Sequence, residues 1–318
     1  MGERRRWRWC ISWSNAVGSY WNDGRSGAGM RAIDLFCGGG GAGLAMRQAG
    51  YLPLGVDTDA EALAVYRQAA GETFRGDVTG LDPLAVWGER PSPDLLWASP
   101  PCQPWSEGRR NQGLLWGFET PEGQLLLEPL RWAQALNPHW VVVENVDGLP
   151  DEMLVPLVEG LQALYPHVSV LRLNARDWLP QNRGHVFVVG GPAPIPAPVG
   201  TGGKRFAEIA DGRGAEPVQV NHLRYALRKR YAVPVVTLDG VLPTVATRPY
   251  SQRWTAFVMT EPGCLRFPTF LEAARAQGFS DDHPLHDLYR QRPAAAWRLL
   301  GNAVPVVLAK AVVDAVLA

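Results

Sequence analysis

The stretch that decides the fold is AIDLFCGGGGAG, residues 32–43. Its first half is an apolar run typical of a buried strand, and its second half is a glycine-rich turn. Gly38, Gly40 and Gly43 have the spacing of a dinucleotide-binding loop, and Asp57 follows Gly38 by 19 positions (57 − 38), where such loops carry a ribose-binding acid. The pattern predicts a nucleotide-like cofactor but does not separate NAD from S-adenosylmethionine, and a purely structural glycine turn remains an alternative.

Short apolar runs alternate with helix-like patterns from residue 31 to residue 190. The predicted strands are Ala32–Phe36, Leu52–Val56, Leu95–Ala98, Val141–Val143, Val168–Leu173 and Val186–Val189. The predicted helices are Leu44–Ala49, Ala60–Ala69, Leu125–Leu136, Met153–Leu164 and, at the end of the chain, Ala303–Leu317. This alternation predicts an α/β fold with a doubly wound, mostly parallel sheet, whose ligands bind beyond the carboxyl ends of the strands.

The composition excludes a disordered or fibrous chain, because 46% of the 318 residues are hydrophobic and only 19% are charged. The 31 basic and 31 acidic side chains cancel, so no overall field attracts a polyanion. Residues 196–260 nevertheless hold nine basic and four acidic side chains, a local net charge of +5. The neutral total therefore hides a basic module.

The four cysteines are far apart, with neither a CxxC pair nor a Cys/His cluster. This spacing argues against a disulfide scaffold and predicts no metal site, and it favours a reduced, intracellular setting. No apolar run approaches the roughly 20 residues that cross a bilayer, so no membrane span is expected.

Residues 1–29 differ in composition from the rest of the chain. Four arginines at positions 4–8 are interspersed with tryptophans, and two more tryptophans follow among Ser, Asn and Gly. Polar residues interrupt any apolar stretch, which argues against a signal peptide. We expect a disordered extension here. A basic arm whose tryptophans stack on nucleic acid is the functional alternative.

Cys102 stands in the sequence Pro100-Pro101-Cys102-Gln103-Pro104-Trp105-Ser106, directly after the predicted strand Leu95–Ala98. The two prolines fix their φ angles and stiffen the loop that presents the thiol at the end of the strand. A free thiol is only a few per cent ionised at neutral pH, so full ionisation needs about 2 kcal/mol, which one or two nearby cations can supply. The loop thus predicts a nucleophilic cysteine rather than a small buried one.

Two further polar groups adjoin predicted strands. Glu144, in Glu144-Asn145-Val146, ends an apolar run, and an apolar setting favours the protonated carboxyl of a proton donor. A helix cap or a salt-bridge partner is the structural alternative for such a Glu. In Gln181-Asn182-Arg183-Gly184-His185, Arg183 is suited to bind a phosphate or a carbonyl oxygen.

In this order the motifs resemble those of the DNA cytosine-5 methyltransferase family. Residues 34–43 resemble its cofactor loop, Gly76-Asp77-Val78 its adenine-contacting turn, Pro101-Cys102-Gln103 its catalytic loop and Glu144-Asn145-Val146 its catalytic acid triplet. Arg266, Thr269, Glu272, Arg275 and Gln277-Gly278-Phe279 fit a late motif, and Gly301-Asn302-Ala303-Val304-Pro305 fits the closing motif. The resemblance covers about residues 30–318 and lacks mainly the recognition segment.

The resemblance implies methyl transfer from S-adenosylmethionine to C5 of cytosine in a specific double-stranded DNA sequence, through a Cys102 adduct at C6 of a flipped-out base. The catalytic residues it implies are Cys102, Glu144, Arg183 and His185. The implied cofactor-binding residues are Asp34, Phe36, Gly38, Gly40, Gly43, Leu44, Asp57, Asp77, Val78, Pro100, Asn302 and Val304. The expected DNA contacts are Ser106, Arg109, Arg110, Arg228, Lys229, Arg230, Thr244 and Arg248.

The chain departs from the family's Gln-x-Arg-x-Arg pattern, because His185 takes the place of the second Arg. In the family this Arg is thought to help hold the flipped base. Because a histidine loses its charge near neutral pH, we expect activity to fall more sharply between about pH 6.5 and 8 than in a His185→Arg variant. The family's Asp-x-Arg-Gly helix start is Thr120-Pro121-Glu122-Gly123, which lacks the Arg, and Thr58 follows Asp57 where many relatives carry a large apolar residue.

The resemblance implies a cofactor and catalytic domain at residues 30–191 plus 295–318, and a smaller target-recognition domain at 192–294. The expected partner is double-stranded DNA in the cytoplasm, at the nucleoid, with no membrane. A cognate restriction endonuclease is a further partner in a restriction–modification system, and the sequence leaves open whether the enzyme is an orphan. The tRNA-methylating branch shares the catalytic loop, but its Cys-Phe-Thr signature is absent from the recognition region. A catalytically silent DNA-binding relative and a nicotinamide oxidoreductase fit less well, because Cys102 and Glu144 would lack a role.

Overall fold

The computed structural model describes residues 29–105, 115–219, 234–245, 247 and 256–318. Its main sheet has the strand order β3-β2-β1-β4-β5-β7-β6. These strands are β1 (Arg31–Leu35), β2 (Leu52–Asp57), β3 (Glu72–Arg75), β4 (Leu95–Ala98), β5 (Trp140–Val146), β6 (His167–Asn174) and β7 (Gly184–Gly191). Neighbours from β3 to β5 are parallel, whereas β7 is antiparallel to both β5 and β6. The prediction of a mostly parallel α/β sheet is confirmed.

Helices cover both faces of this sheet. They are α1 (Gly41–Gln48), α2 (Ala60–Ala69), α3 (Pro83–Trp87), α4 (Pro121–Gln124), α5 (Glu128–Leu136), α6 (Asp151–Gln162), α7 (Phe270–Arg275), α8 (Leu285–Gln291), α9 (Pro293–Asn302) and α10 (Val306–Leu317). Leu95 and Trp97 face one core and Leu96 and Ala98 the other, so β4 is buried on both sides. A strand buried on both faces needs a continuous apolar run rather than alternation, which is why Leu95–Ala98 was recognisable in the sequence.

Two features of the sheet differ from the sequence-based expectation. Strand β3 was not predicted, because its sequence Glu72–Arg75 is polar and lies at an exposed edge where no apolar run is required. The last two strands run antiparallel because residues 175–183, which contain one short 3-10 turn but no α-helix, lead β6 directly back along β7.

The segment after β7, where the sequence predicts a recognition domain, forms a smaller unit with its own sheet, in the order β10-β9-β8. We call this smaller unit the recognition unit. Its strands are β8 (Val235–Thr237), β9 (Phe257–Glu261) and β10 (Cys264–Arg266), and they pack on a core that includes Phe206 and Leu242. The fully buried Glu272 accepts both arms of the Arg266 guanidinium, at 2.6 and 2.8 Å, and two backbone N–H groups at Asp211 and Gly212. Late-motif residues thus fix the unit to α7. The proposed domain division at 294/295 stays a prediction, since Phe270 and Leu285 share the core of the main sheet.

The C-terminal stretch Pro293–Leu317 is long and apolar enough to cross a membrane by length and composition, and its most apolar window of 18 residues has a mean hydropathy of 1.7. The expectation that no apolar run reaches this length was therefore wrong. The stretch consists of α9 and α10, separated by Ala303–Pro305, and 61% of its most apolar window is buried inside the protein. Helix α10 packs against α1 on one face of the sheet, so it has the environment of a core helix.

The expected disordered extension at residues 1–29 falls, up to residue 28, outside the described residues.

His283 generates a stability prediction. It is 4% exposed, its Nδ1 accepts the Leu285 N–H at 3.3 Å, and burial, helped by His286, lowers its pKa to about 4. The unfolded chain binds a proton near pH 6.5, so the unfolding free energy falls as the pH drops from about 6.5 towards 4. We expect this group to remove about 2 kcal/mol between pH 7 and pH 5.

A His283→Asn variant keeps an acceptor for Leu285 but does not titrate. Urea unfolding at pH 7 and pH 5 should therefore show a loss of stability that is smaller by about 2 kcal/mol in the variant than in the wild type. Equal losses in both proteins would contradict a depressed pKa at His283.

Candidate active site

A cavity of about 530 Å³ opens at the carboxyl ends of β1, β2, β4 and β5. The predicted residues that line it are Asp34, Phe36, Gly38, Asp57, Asp77, Val78, Pro100, Cys102, Glu144, Arg183, His185, Asn302 and Val304. The parallel strands end together at this edge, which is why motifs distant in sequence meet here. The cavity thus joins the glycine loop, the cysteine loop and the Glu144 strand.

The glycine loop turns directly after β1. Phe36 has a positive φ of 57°, which is uncommon for a residue with a Cβ, and Gly38 follows with a φ of 51°. The Gly38 N–H donates to Asp57 Oδ2 at 2.9 Å, and the Asp59 N–H donates to Asp57 Oδ1 at 2.9 Å. Asp57 therefore holds the loop in place while its carboxylate lines the cavity.

Asp34 is fully buried beneath this loop, and neither of its carboxylate oxygens has a hydrogen-bond partner among the described residues that meets ordinary geometry. Burial raises the pKa of Asp34 well above its usual range, and the nearby Tyr66 hydroxyl opposes that rise. A buried carboxyl without partners at the wall of a cavity is suited to receive a hydrogen bond from a ligand. Sequence reasoning gave no signal for Tyr66, which reaches the site from the middle of α2.

Three predicted cofactor residues do not line the cavity: Gly40, Gly43 and Leu44. A Cβ on Gly43 would lie 2.5 Å from Tyr66 ring atoms, and one on Gly40 would lie 3.3 Å from that ring. The two glycines therefore let α1 approach α2, and Leu44 packs on the core beside them. Gly41 lines the cavity instead, close to the Val304 carbonyl.

The cysteine loop is fastened at its start. The Asn145 side chain donates from Nδ2 to the Pro100 carbonyl at 3.1 Å, which ties the end of β5 to the residue two positions before Cys102. On the far side, Trp105 is 1% exposed and packs edge-on against Phe118, with ring centroids 5.2 Å apart. Asn145 belongs to the Glu144-Asn145-Val146 motif, but the sequence predicts no role for it, because only the fold brings its side chain to Pro100.

Arg183 is buried at the centre of the site and donates to four acceptors. Its Nη1 donates to the Val245 carbonyl at 3.0 Å, and its Nη2 donates to the Gly301 and Ala303 carbonyls at 2.9 and 3.0 Å. Its Nε donates to His185 Nε2 at 3.1 Å. Arg183 therefore joins β7, the recognition unit and the closing motif, rather than standing free to bind a phosphate.

The charge of Arg183 also reaches the thiol. Burial raises the pKa of Cys102, the charge of Arg183 lowers it, and the carboxylate of Glu144 raises it. The net result is a pKa of Cys102 above its usual range, so the charge of Arg183 opposes the effect of burial without cancelling it.

His185 is 2% exposed, and its Nδ1 lies 2.5 Å from Glu144 Oε1. Burial lowers the pKa of His185, which the charge of Arg183 reinforces, although Glu144 opposes it. Burial and the charge of Arg183 therefore both disfavour the protonated imidazole. The expected loss of activity between pH 6.5 and 8 through loss of the His185 charge stays a prediction; it treated the side chain as solvated, whereas the structure buries it.

Of the predicted DNA contacts, the structure describes Thr244, whose hydroxyl donates to the Asn182 carbonyl at 3.0 Å. This bond fastens the recognition unit to the Gln181–His185 segment. Ser106, Arg109, Arg110, Arg228, Lys229, Arg230 and Arg248 lie outside the described residues.

Comparison with known proteins agrees with this geometry. The profile of the C-5 cytosine-specific DNA methylase family matches residues 30–206, more than half of the chain. The chain belongs to this family. The methylase match covers the glycine loop, the Cys102 loop, Glu144 and the Arg183–His185 pair.

Individual relatives extend the methylase similarity to different lengths. The Type II methyltransferase M.HgiCII of Herpetosiphon aurantiacus is 35% identical over 171 residues, which are 51% of this chain and 37% of that relative. The Type II methyltransferase M.DsaV of Dactylococcopsis salina is 28% identical over 317 residues, 91% of this chain and 86% of that relative. The chain thus spans little more than a third of the first relative.

The fold of this chain is also found in solved structures. The S. pombe Dnmt2 methyltransferase superposes with a TM-score of 0.69 and 17% identity, covering 91% of this chain and 98% of that one. At this identity the likeness concerns the fold alone.

Arg183 generates a prediction about the thiol. An Arg183→Gln variant removes the cation that lowers the pKa of Cys102, so less thiolate is present at a given pH. We expect iodoacetamide to alkylate Cys102 about three- to tenfold more slowly at pH 7.5, measured by mass spectrometry in a background where Cys10 and Cys264 are replaced by serine.

The matched control is Arg183→Lys, which keeps the charge and should react at close to the wild-type rate. Thermal unfolding of both variants reports whether the bonds to Val245, Gly301 and Ala303 still support the fold. Equal rates for the Arg183→Gln variant and the wild-type protein, or an equally slow Arg183→Lys variant, would show that the charge does not control the thiol.

Proposed function

We propose that this protein transfers a methyl group to C5 of cytosine in a specific double-stranded DNA sequence, with S-adenosylmethionine as the donor. The observation that carries the proposal is the meeting of the Cys102 loop, Glu144 and the glycine loop at one cavity of about 530 Å³. This size is typical of cofactor and ligand sites.

The residues around the glycine loop suit S-adenosylmethionine. Asp57 offers carboxylate oxygens for ribose hydroxyls, and the Asp77–Val78 turn lies at the end where an adenine would be placed. Asp34 brings a buried carboxyl at the wall of the cavity, beside the Tyr66 hydroxyl and the Gly43 N–H, and its oxygens can accept a hydrogen bond from an ammonium group. The donor supplies an electrophilic methyl group, and the chain supplies the activation of the base.

Cys102 and Glu144 each contribute one part of the activation of the base. The Cys102 thiolate forms a bond to C6 of the pyrimidine, while Glu144 gives a proton or a hydrogen bond to N3, so that C5 becomes a nucleophile. After methyl transfer, loss of the C5 proton restores the C5–C6 double bond and expels the Cys102 thiolate. Because C6 is not accessible inside a duplex, the base must leave the stack, at a cost of a few kcal/mol.

The basic module is assigned to the DNA backbone. Arg224, Arg228, Lys229 and Arg230 carry charge but no base specificity by themselves, and phosphate contacts of this kind position a protein on the duplex. Thr244 and Val245 connect the unit to the catalytic strand through Asn182 and Arg183. A cognate endonuclease acting on the same site is part of the proposal where the gene belongs to a restriction–modification system. We also assign the protein to the cytoplasm, at the nucleoid when it is bound to DNA.

A tRNA-methylating activity is the alternative within the same family. The signature Cys-Phe-Thr of that branch is absent from the recognition region, and Phe267-Pro268-Thr269 is not its equivalent. Methylation of duplex DNA and not of tRNA by the purified protein distinguishes the two substrates.

The central prediction concerns Cys102. A Cys102→Ser variant should lose methyl transfer to DNA, because a serine hydroxyl is not ionised at neutral pH, and should bind S-adenosylmethionine with nearly unchanged affinity. Bisulfite sequencing of DNA from cells that express each protein identifies the target, and an oligonucleotide with 5-fluorocytosine at that target should crosslink only to the wild type. Cys264→Ser is the matched control with full activity. Persistent methylation in the Cys102→Ser variant would disprove the adduct.

A second prediction concerns the salt dependence of DNA binding. If about five phosphates are neutralised, the logarithm of the binding constant should fall with the logarithm of salt concentration with a slope of about −4 to −5. Fluorescence anisotropy from 50 to 300 mM NaCl measures this slope, which an Arg228→Ala/Lys229→Ala/Arg230→Ala variant should reduce by about 2 to 3. A slope near zero in the wild type would exclude a phosphate-binding module.

A further inference from the structure

Three buried side chains form one hydrogen-bonded chain beside Cys102. Glu144 lies on β5, His185 lies on the neighbouring strand β7, and Arg183 precedes that strand. The exposed fractions are 5% for Glu144, 2% for His185 and 6% for Arg183, so water does not replace these bonds. The distances are 2.5 Å from Glu144 Oε1 to His185 Nδ1 and 3.1 Å from His185 Nε2 to Arg183 Nε.

The arginine fixes the tautomer of the histidine. A guanidinium has only N–H donors, so His185 Nε2 must accept the bond from Arg183 Nε and carries no proton. In a neutral imidazole the proton then resides on Nδ1, which donates to Glu144 Oε1. Arg183 cannot turn away, because its Nη atoms are bound to the carbonyls of Val245, Gly301 and Ala303.

Glu144 is therefore held by one oxygen and open at the other. No described residue forms a hydrogen bond with Oε2, and Glu144 and Cys102 line the same cavity. The other charged groups that act on His185 are Arg183 on its own segment and Asp147 just after β5. The Phe187 ring, 6.4 Å from the imidazole, covers its apolar side.

We propose that His185 is a neutral positioning residue, which donates from Nδ1 to Glu144 Oε1 and so aims Oε2 at N3 of the target cytosine. This inference rests on the proposed function and deepens it. The second arginine of the family pattern carries a permanent charge, whereas His185 donates to Glu144 as a neutral imidazole. Proton delivery by Glu144 then does not depend on a charge at position 185 across neutral pH.

Two amide variants separate positioning from simple packing. Asn places its side-chain nitrogen two bonds beyond Cβ, where Nδ1 stands, whereas Gln places it one bond further, where Nε2 stands. His185→Asn therefore keeps the donor to Glu144, and His185→Gln does not. We expect kcat for methyl transfer to fall about 10- to 100-fold in His185→Gln and to be at least about fivefold higher in His185→Asn than in His185→Gln.

The affinity for S-adenosylmethionine and the midpoint of thermal unfolding, measured for both variants, report folding independently of chemistry. The pH profiles of kcat from pH 6 to 8 should have the same shape in the wild type and in His185→Asn, because neither residue titrates there. Equal kcat in the Asn and Gln variants, or a wild-type ionisation in this range that the Asn variant lacks, would overturn the proposal.

Nitrogen-15 NMR of the free protein reads the tautomer without any reaction, with His185→Asn used to assign the signals. We expect a protonated Nδ1 and an unprotonated Nε2 that do not change from pH 6 to pH 8. A protonated Nε2, or a titration in this range, would overturn the proposal. If the wild type methylates no DNA although the tautomer is as expected, the failure lies with the proposed function instead.

Discussion

The site depends on one buried guanidinium. Arg183 is the point at which strand β7, the recognition unit and the closing motif meet, because its four hydrogen bonds reach His185, Val245, Gly301 and Ala303. A buried cation is stable only when its donors are satisfied, and here three backbone carbonyls from two segments and the imidazole of His185 satisfy them. The same charge lowers the pKa of Cys102. Assembly of the fold and electrostatic support of the thiolate therefore depend on a single group, whose charge opposes the pKa rise that burial causes at Cys102.

Much of the fold could be predicted from the sequence, because buried parallel strands require continuous apolar runs. Leu95–Ala98 was found with its observed bounds, and the alternation with helices gave the mostly parallel sheet. The polar edge strand Glu72–Arg75 gave no such signal, and the antiparallel pair β6–β7 follows from a short connection that apolar patterns do not describe. The sequence alone does not separate a core helix from a membrane span at the C-terminal helices, because burial inside the protein and burial in a lipid bilayer favour the same side chains.

The site was predicted in part for similar reasons. Motif order identified Cys102 and Glu144, since loops after parallel strands meet at one edge of the sheet. The roles of Asn145 and Tyr66 depend on contacts between residues that are distant in sequence, and no spacing rule reveals them. The cofactor role of Gly40 and Gly43 stays a prediction, and the structure adds a packing role that the sequence did not show, the close approach of α1 to Tyr66. The motif order pointed to His185, which lines the cavity, but no sequence pattern shows that burial and the neighbouring Arg183 both lower its pKa.

The recognition unit is fixed to the catalytic strands through backbone atoms. The Asn182 N–H donates to the Leu242 carbonyl, and the Leu242 N–H donates to the Pro180 carbonyl. The Val245 carbonyl accepts a hydrogen bond from Arg183, and the Glu272 carboxylate accepts from the N–H groups of Asp211 and Gly212. Bonds of this kind are insensitive to the side chains that lie between the anchor points. A substitution of an exposed side chain between Asp211 and Leu242 therefore leaves these anchoring bonds in place, so the surface of the unit can change while its attachment beside Arg183 is kept.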